Sequence, residues 1–184
     1  MDKSEKSWFD KWFDTPYYHI LYSQRDDNEA EFFMNNLAKF LNFSPQDTIL
    51  DLACGKGRHA IYLNQLGYEV VGADLSENSI MEANKNQNET LHFQVHDMRE
   101  TFEDKFDAIF NLFTSFGYFD TEREHINALE SMIQSMKNKG TFVIDYLNSK
   151  YTENHIIHQE EKNIGDISFR ITKWYDDLKF YKKI

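Results

Sequence analysis

Along the chain, apolar residues recur first with a helical period and then in short continuous runs, and the change comes at Ser44-Pro45. Before that break, Trp8 with Trp12 and Phe9 with Phe13 are spaced four apart, which predicts a capping helix with a broad aromatic face. The run EAEFFMNNLAKFLNF predicts a second helix, with Phe33, Leu37, Phe40 and Leu41 on one stripe. Beyond the break, β-compatible apolar runs at Thr48–Ala53, Tyr68–Asp74, Leu91–Val95, Phe106–Leu112 and Thr141–Asp145 predict five strands. Helices are predicted over Arg58–Gln65, closed by Gly67, over Glu77–Lys85 with Ser76 as cap, and over Glu122–Met136. Alternation of this kind, with strands apolar throughout, predicts an α/β domain: a doubly wound, mostly parallel sheet with helices on both faces. Near the end, Ile167–Tyr175 and Leu178–Ile184 alternate around Asp176-Asp177, which predicts an antiparallel hairpin. The expected organisation is a helical cap over residues 1–43, a core over 44–150, and a loop plus hairpin over 151–184.

Composition narrows the function classes. The 184 residues carry a net charge of −11, which disfavours phosphate-backbone binding and hence a nucleic-acid partner. No apolar stretch suffices for a membrane span or signal peptide, and the single cysteine, Cys54, fits a reducing compartment. We therefore expect a cytoplasmic protein acting on a small molecule. His155, His158, Glu160 and Glu161 lack a fixed third ligand and are expected to lie in a solvated charged loop, so no metal site is predicted.

Chemistry is expected at the carboxyl ends of the strands, where parallel sheets bind ligands. The first strand ends at Gly55-Lys56-Gly57, whose missing side chains let backbone approach a ligand. The second ends at Asp74, 19 residues after Gly55, the spacing of a carboxylate that accepts ribose hydroxyls. The third is followed by His96-Asp97-Met98, which offers a polar group for an adenine edge beside an apolar one for its ring. GKGRHA also satisfies a dinucleotide-binding pattern, but Asp51, inside the first strand, suits a cationic ligand better than a pyrophosphate.

The runs ILDLACGKGRHAIYL, GYEVVGADLS, VHDMRE and FDAIFNLFTSFGYF together resemble the class I S-adenosylmethionine-dependent methyltransferases over about residues 47–147. The leader WFDKWFDTPYYHILY resembles small bacterial members of that group. The resemblance implies a Rossmann-like methyltransferase fold, S-adenosyl-L-methionine as cofactor, and in-line methyl transfer to an unidentified small-molecule acceptor. It implies that Asp51, Gly55 and Gly57 hold the methionine moiety, that Asp74 binds the ribose, and that Leu75 lies against the adenine. It implies also that Asp97 accepts from the adenine amino group, that Met98 packs on the ring, and that Asn111, Leu112 and Phe113 border the sulfur. Arg58 is read as structural or as close to the cofactor carboxylate. Candidates for a catalytic group are Tyr18, His19 and Tyr118, with Tyr22, Asp145 and Asn148 also expected to face the pocket.

Two rival functions stay open at this level: a catalytically silent cofactor-binding module and a nicotinamide-dependent oxidoreductase. The resembling family usually completes a seven-stranded sheet with a further helix and an antiparallel strand pair. Here only about 37 residues follow Leu147, without a normal-length amphipathic helix. Either the hairpin stands in for that pair, or it is an inserted substrate-side hairpin and the last strands of the usual sheet are missing. We expect the second, with an exposed sheet edge through which the chain self-associates.

Overall fold

The computed structural model describes residues 7–22, 27–176 and 179–184. The aromatic leader forms two short helices, α1 (Trp8–Phe13) and α2 (Pro16–Leu21), where the spacing predicted one. Thr15 divides them: its hydroxyl accepts from the Tyr18 N–H at 3.2 Å, and Pro16 occupies the first helical position, where a missing N–H costs nothing. Helix α3 (Asp27–Leu41) follows.

The core sheet comprises β1 (Thr48–Leu52), β2 (Glu69–Asp74), β3 (Leu91–Val95), β4 (Phe106–Asn111) and β5 (Met136–Ile144). Their order is β3-β2-β1-β4-β5 and every pairing is parallel. Between them run α4 (Arg58–Gln65), α5 (Glu77–Ala83) continued by a 3-10 turn, and α6 (Glu122–Gln134). The order reverses between β1 and β4, which puts the switch point at the end of β1, beside the Gly-rich turn that follows it. One face packs Met34, Ala60, Leu63, Ile80 and Ala83 from α3, α4 and α5 against Ile49, Val70, Phe93 and Phe110. The other packs Ala128 and Met132 of α6, with Phe102, against Leu50, Leu52, Phe106 and Ile109. Each large side chain so buried contributes about 1.5–3 kcal/mol.

Residues 96–105 join β3 to β4 by a turn-rich crossing in which Phe102 does the covering a helix would do. Two expectations need correction. Helix α6 ends at Gln134 and β5 begins at Met136, five residues before the predicted strand, because Met136 pairs with Phe106 ahead of an irregularity in the ladder. The charged stretch around Glu160 and Glu161 is a strand, β6 (Gln159–Ile164), rather than a loop. It follows the six-residue α7 (Ser149–Asn154) and pairs antiparallel with β7 (Ile167–Asp176), which pairs in turn with β8 (Lys179–Lys183). QEEKNI lacks alternation because it is an edge strand with solvent on most sides. Its charges pair locally, Glu160 with Lys173 at 3.0 Å and with Lys162 at 3.3 Å. The predicted hairpin is present, although residues 177–178 of its turn lie outside the described residues.

These three strands form a separate sheet and do not extend the parallel one. The hairpin therefore does not stand in for the last strand pair of the core sheet. Phe169 and Ile171 instead pack on Leu21, Trp12, Ile20 and Tyr22 of the leader, and Lys182 donates to the Tyr22 hydroxyl at 2.6 Å.

Candidate functional site

Strand β1 delivers Asp51 to a dry position: it is 2% exposed, and its Oδ2 has no hydrogen-bond partner among the described residues. Burial pushes the carboxyl up to about 7, against the Ala60 N–H and the Arg58 charge and with the help of Asp74. The open acceptor at Oδ2 suits a ligand cation, whose charge would favour the ionised form. Directly after β1, Ala53 takes a left-handed φ of 65° and its N–H donates to the Ala73 carbonyl at 2.7 Å, which turns the chain across the end of β2. Gly55 and Gly57 follow at φ 56° and 83°. A side chain at Gly57 would strike Phe93, 2.5 Å from Cε1, so this glycine is required by packing as well as by conformation. A side chain at Gly55 would meet nothing within 4 Å; the space above the loop is open.

Asp74 at the end of β2 ties this loop down. Its Oδ2 accepts from the Gly55 N–H at 2.8 Å and its Oδ1 from the Ser76 N–H at 2.9 Å. Burial raises its proton affinity, the Ser76 and Gly55 N–H groups oppose that rise, and nearby Asp14 adds to it. Each oxygen keeps acceptor capacity for a ligand hydroxyl. Leu75 beside it is 37% exposed, an apolar surface open to a ligand.

Beyond β3, Asp97 is gripped by Arg99 through its backbone N–H, Nε and Nη2 at 2.6–3.1 Å. Burial pushes the Asp97 carboxyl up, but the Arg99 hydrogen bonds and charge outweigh it and the net shift is downward. Met98 is half-buried against the α6 side, and its carbonyl accepts from Ser131 at 2.6 Å. Asp51 pairs with Gly72, two residues before Asp74, and Asp74 with Val95, two residues before Asp97, so the three carboxylates form a slanting row across the carboxyl ends of β1, β2 and β3.

Asn111 closes β4 fully buried. Its Nδ2 donates to the Leu52 carbonyl at 3.0 Å, while Oδ1 has no hydrogen-bond partner among the described residues. Leu112 is buried in the core. Phe113 and Thr114 are both left-handed, at φ 56° and 58°, strain of about 1–3 kcal/mol each that must be held in place. Asp145 after β5 holds it: the Phe113 N–H donates to its Oδ2 at 3.0 Å and the Thr114 N–H to its carbonyl at 3.2 Å. The Phe113 ring is thereby stacked on His59 at 4.8 Å, with the Arg58 guanidinium 5.0 Å away.

The leader roofs this row. Asp14 accepts from Ser76 Oγ at 2.6 Å and Asn78 Nδ2 at 2.9 Å on one side. On the other, Trp8 and Phe13 meet Tyr118 at 5.9 and 5.1 Å, and Phe9 meets Phe119 at 5.6 Å. Between leader and Gly loop lies a cleft of about 410 Å³ lined by Asp14, His19, Lys56, Asn78 and Glu82 among others. His19 loses proton affinity, through burial first and Lys56 second, against Asp14. Tyr18 packs edge-on to Phe13 at 5.0 Å. Tyr22 is engaged by Lys182, and Asn148 caps α7. The structure thus gathers Asp51, Gly55, Gly57, Asp74, Leu75, Asp97 and Met98 along one edge. Asn111, Leu112 and Phe113 stand at the end of the adjacent strand. Sequence reasoning missed the Asp14 contacts and the Arg99 grip; VHDMRE contained the latter, an Arg two residues from an Asp in a turn.

Residues 43–183 match the model of a family described as a methyltransferase domain. A glycine/sarcosine N-methyltransferase of Parasynechococcus marenigrum is 30% identical over 135 residues, covering 70% of this chain and 46% of that protein. The dTDP-3-amino-3,4,6-trideoxy-alpha-D-glucopyranose N,N-dimethyltransferase of Streptomyces venezuelae is 32% identical over 100 residues, 53% of this chain and 41% of that one. The chain thus spans less than half the length of these relatives. Among solved structures, an S-adenosylmethionine-dependent methyltransferase from Clostridium acetobutylicum superposes with a TM-score of 0.69 at 22% identity, over 88% of this chain and 67% of that one. At that identity the likeness concerns the fold.

Proposed function

The chain belongs to the methyltransferase-domain family, and from that premise we propose that it transfers the methyl group of S-adenosylmethionine to a small-molecule amine. The observation that carries the donor assignment is the row Asp51, Asp74, Asp97 across β1, β2 and β3, beside an open glycine turn. A buried carboxylate with one oxygen open, a carboxylate with spare acceptor positions and a third at a turn match, in order, an ammonium, a ribose and an aminopurine. When bound, the donor presents a methyl group on a positively charged sulfur, which leaves as a neutral thioether after in-line attack.

In this reading Asp51 takes the ammonium, and Gly55 and Gly57 let backbone approach the methionine chain. Asp74 accepts from the ribose hydroxyls, Leu75 and Met98 pack on the adenine, and Asp97 accepts from its amino group. Asn111, Leu112 and Phe113 border the reacting end. The leader, pinned at Ser76 on one side and Tyr118 on the other, excludes water, and desolvation of the nucleophile with fixed geometry supplies the acceleration. An amine must lose a proton before it attacks. His19, whose lowered proton affinity keeps it neutral at pH 7, is our candidate to receive it, with Tyr18 and Tyr118 flanking the same aromatic group. The amine class is supported by the N-methyltransferase names of the two relatives and by a net charge of −11, which attracts cations.

The test is release of S-adenosylhomocysteine from S-adenosylmethionine over a panel of small amines, alcohols and thiols. Turnover confined to amines is expected. Turnover on alcohols or thiols alone would overturn the acceptor class, and binding of the donor without turnover on any member would mark a silent module.

A further inference from the structure

Arg99 lies outside the row of carboxylates and joins one member of it to two other parts of the fold. Its Nε lies 3.0 and 3.1 Å from the two Asp97 oxygens, its Nη2 donates at 2.6 Å, and its own backbone N–H donates at 2.9 Å. The remaining arm, Nη1, donates to Glu124 Oε1 at 2.7 Å, and Glu124 is the last member of the capping box that starts α6. The guanidinium also stands 5.0 Å from the Phe119 ring, which meets Phe9 of the leader at 5.6 Å. One side chain therefore ties the turn after β3 to α6 and to the roof.

We propose that Arg99 is a positioning residue that fixes the Asp97 carboxylate to read the 6-amino group of the donor's adenine, and so sets the site's selectivity for aminopurines. The proposal rests on the donor site assigned above. An ionised carboxylate has about four acceptor positions. Three N–H groups of Arg99 make four contacts, two on each oxygen, with the Nε proton shared between the oxygens, so a single N–H of an adenine amino group can be accepted at Oδ2 by displacing only the longer arm of that shared contact, at 3.1 Å. A planar fork also fixes the carboxylate's rotation, which a point charge does not.

Calorimetric affinities for S-adenosylhomocysteine and for its purine analogue lacking the 6-amino group test this in the wild-type protein, Arg99→Met and Arg99→Lys. A hydrogen bond to a charged group predicts that the wild type prefers the amino ligand by about tenfold or more. Arg99→Met should bring that ratio close to one while its affinity for the deaminated ligand changes little, and Arg99→Lys should recover part of the ratio. A merely structural Arg99 would weaken both ligands equally. A wild-type ratio retained in either folded variant overturns the proposal; should Arg99→Met fail to fold, Arg99→Lys alone decides it. A wild-type protein that binds both ligands equally rejects the reading role of Asp97 and Arg99 but leaves the donor site standing, whereas one that binds neither rejects the donor site.

Discussion

Ligand affinity should depend on pH through Asp51. With its carboxyl at about 7 in the free protein, roughly 3% is ionised at pH 5.5 and half at pH 7. A ligand ammonium pairs with the ionised form, so the apparent affinity for S-adenosylhomocysteine should rise about fifteenfold between those values, the ligand's own amine staying protonated throughout. The Asp74 carboxyl is raised as well, so the contribution of Asp51 is read as the difference between wild type and Asp51→Asn. That variant should bind about tenfold or more weakly at pH 7 and show a much shallower limb. Folding stability runs the other way. The folded protein holds this proton between about pH 4 and 7 while the unfolded chain has released it, so the contribution is complete below about pH 4 and lost as pH rises through 7. At about 1.4 kcal/mol per pH unit the swing is on the order of 4 kcal/mol. Asp51→Asn should therefore melt higher than wild type at pH 7.5 and bind worse. Titration calorimetry and thermal melts from pH 5.5 to 7.5 measure both. A wild-type affinity flat over that range, or a limb unchanged in Asp51→Asn, would refute the assignment of the ammonium to this carboxylate.

How far the sequence reaches is clear from particular elements. Thr48–Asp51, Val70–Asp74 and Ala108–Asn111 are buried on both faces, so their continuous apolar runs could be strands of no other kind, and the residues at their ends were placed by that alone. The edge strand β6 was not legible, because QEEKNI is specified by pairing with Ile167–Thr172 rather than by its own pattern. The break between α1 and α2 was legible in Thr15-Pro16 and went unused. Arg99 and Asp14 act across separations of 25 residues to Glu124 and 62 to Ser76, which no local spacing encodes. Strand-end positions were therefore legible from backbone context, and the long-range partners of their side chains were not.

The two loop glycines should fail differently. Gly57→Ala combines a left-handed alanine at φ 83° with a contact 2.5 Å from Phe93, a cost of about 2–5 kcal/mol and a melting point lower by roughly 5–15 °C. Gly55→Ala, in open space, should cost about 1–2 kcal/mol yet lose more ligand affinity than Gly57→Ala per degree of melting lost, because its methyl enters the cradle; the opposite ranking in paired melts and calorimetry would place the ligand elsewhere. Asp145 offers the last separation. Its carboxylate and carbonyl hold two consecutive left-handed residues, and Phe113 cannot keep its stack on His59 if the turn relaxes. Asp145→Ala leaves the Phe113 N–H without its acceptor and should cost about 1–3 kcal/mol with a loss of ligand affinity. Asp145→Asn keeps an oxygen acceptor at that place and should recover most of both. Were Asn no better than Ala, the charge rather than the hydrogen bond would be the function of Asp145, and the turn would be held by its backbone contacts alone.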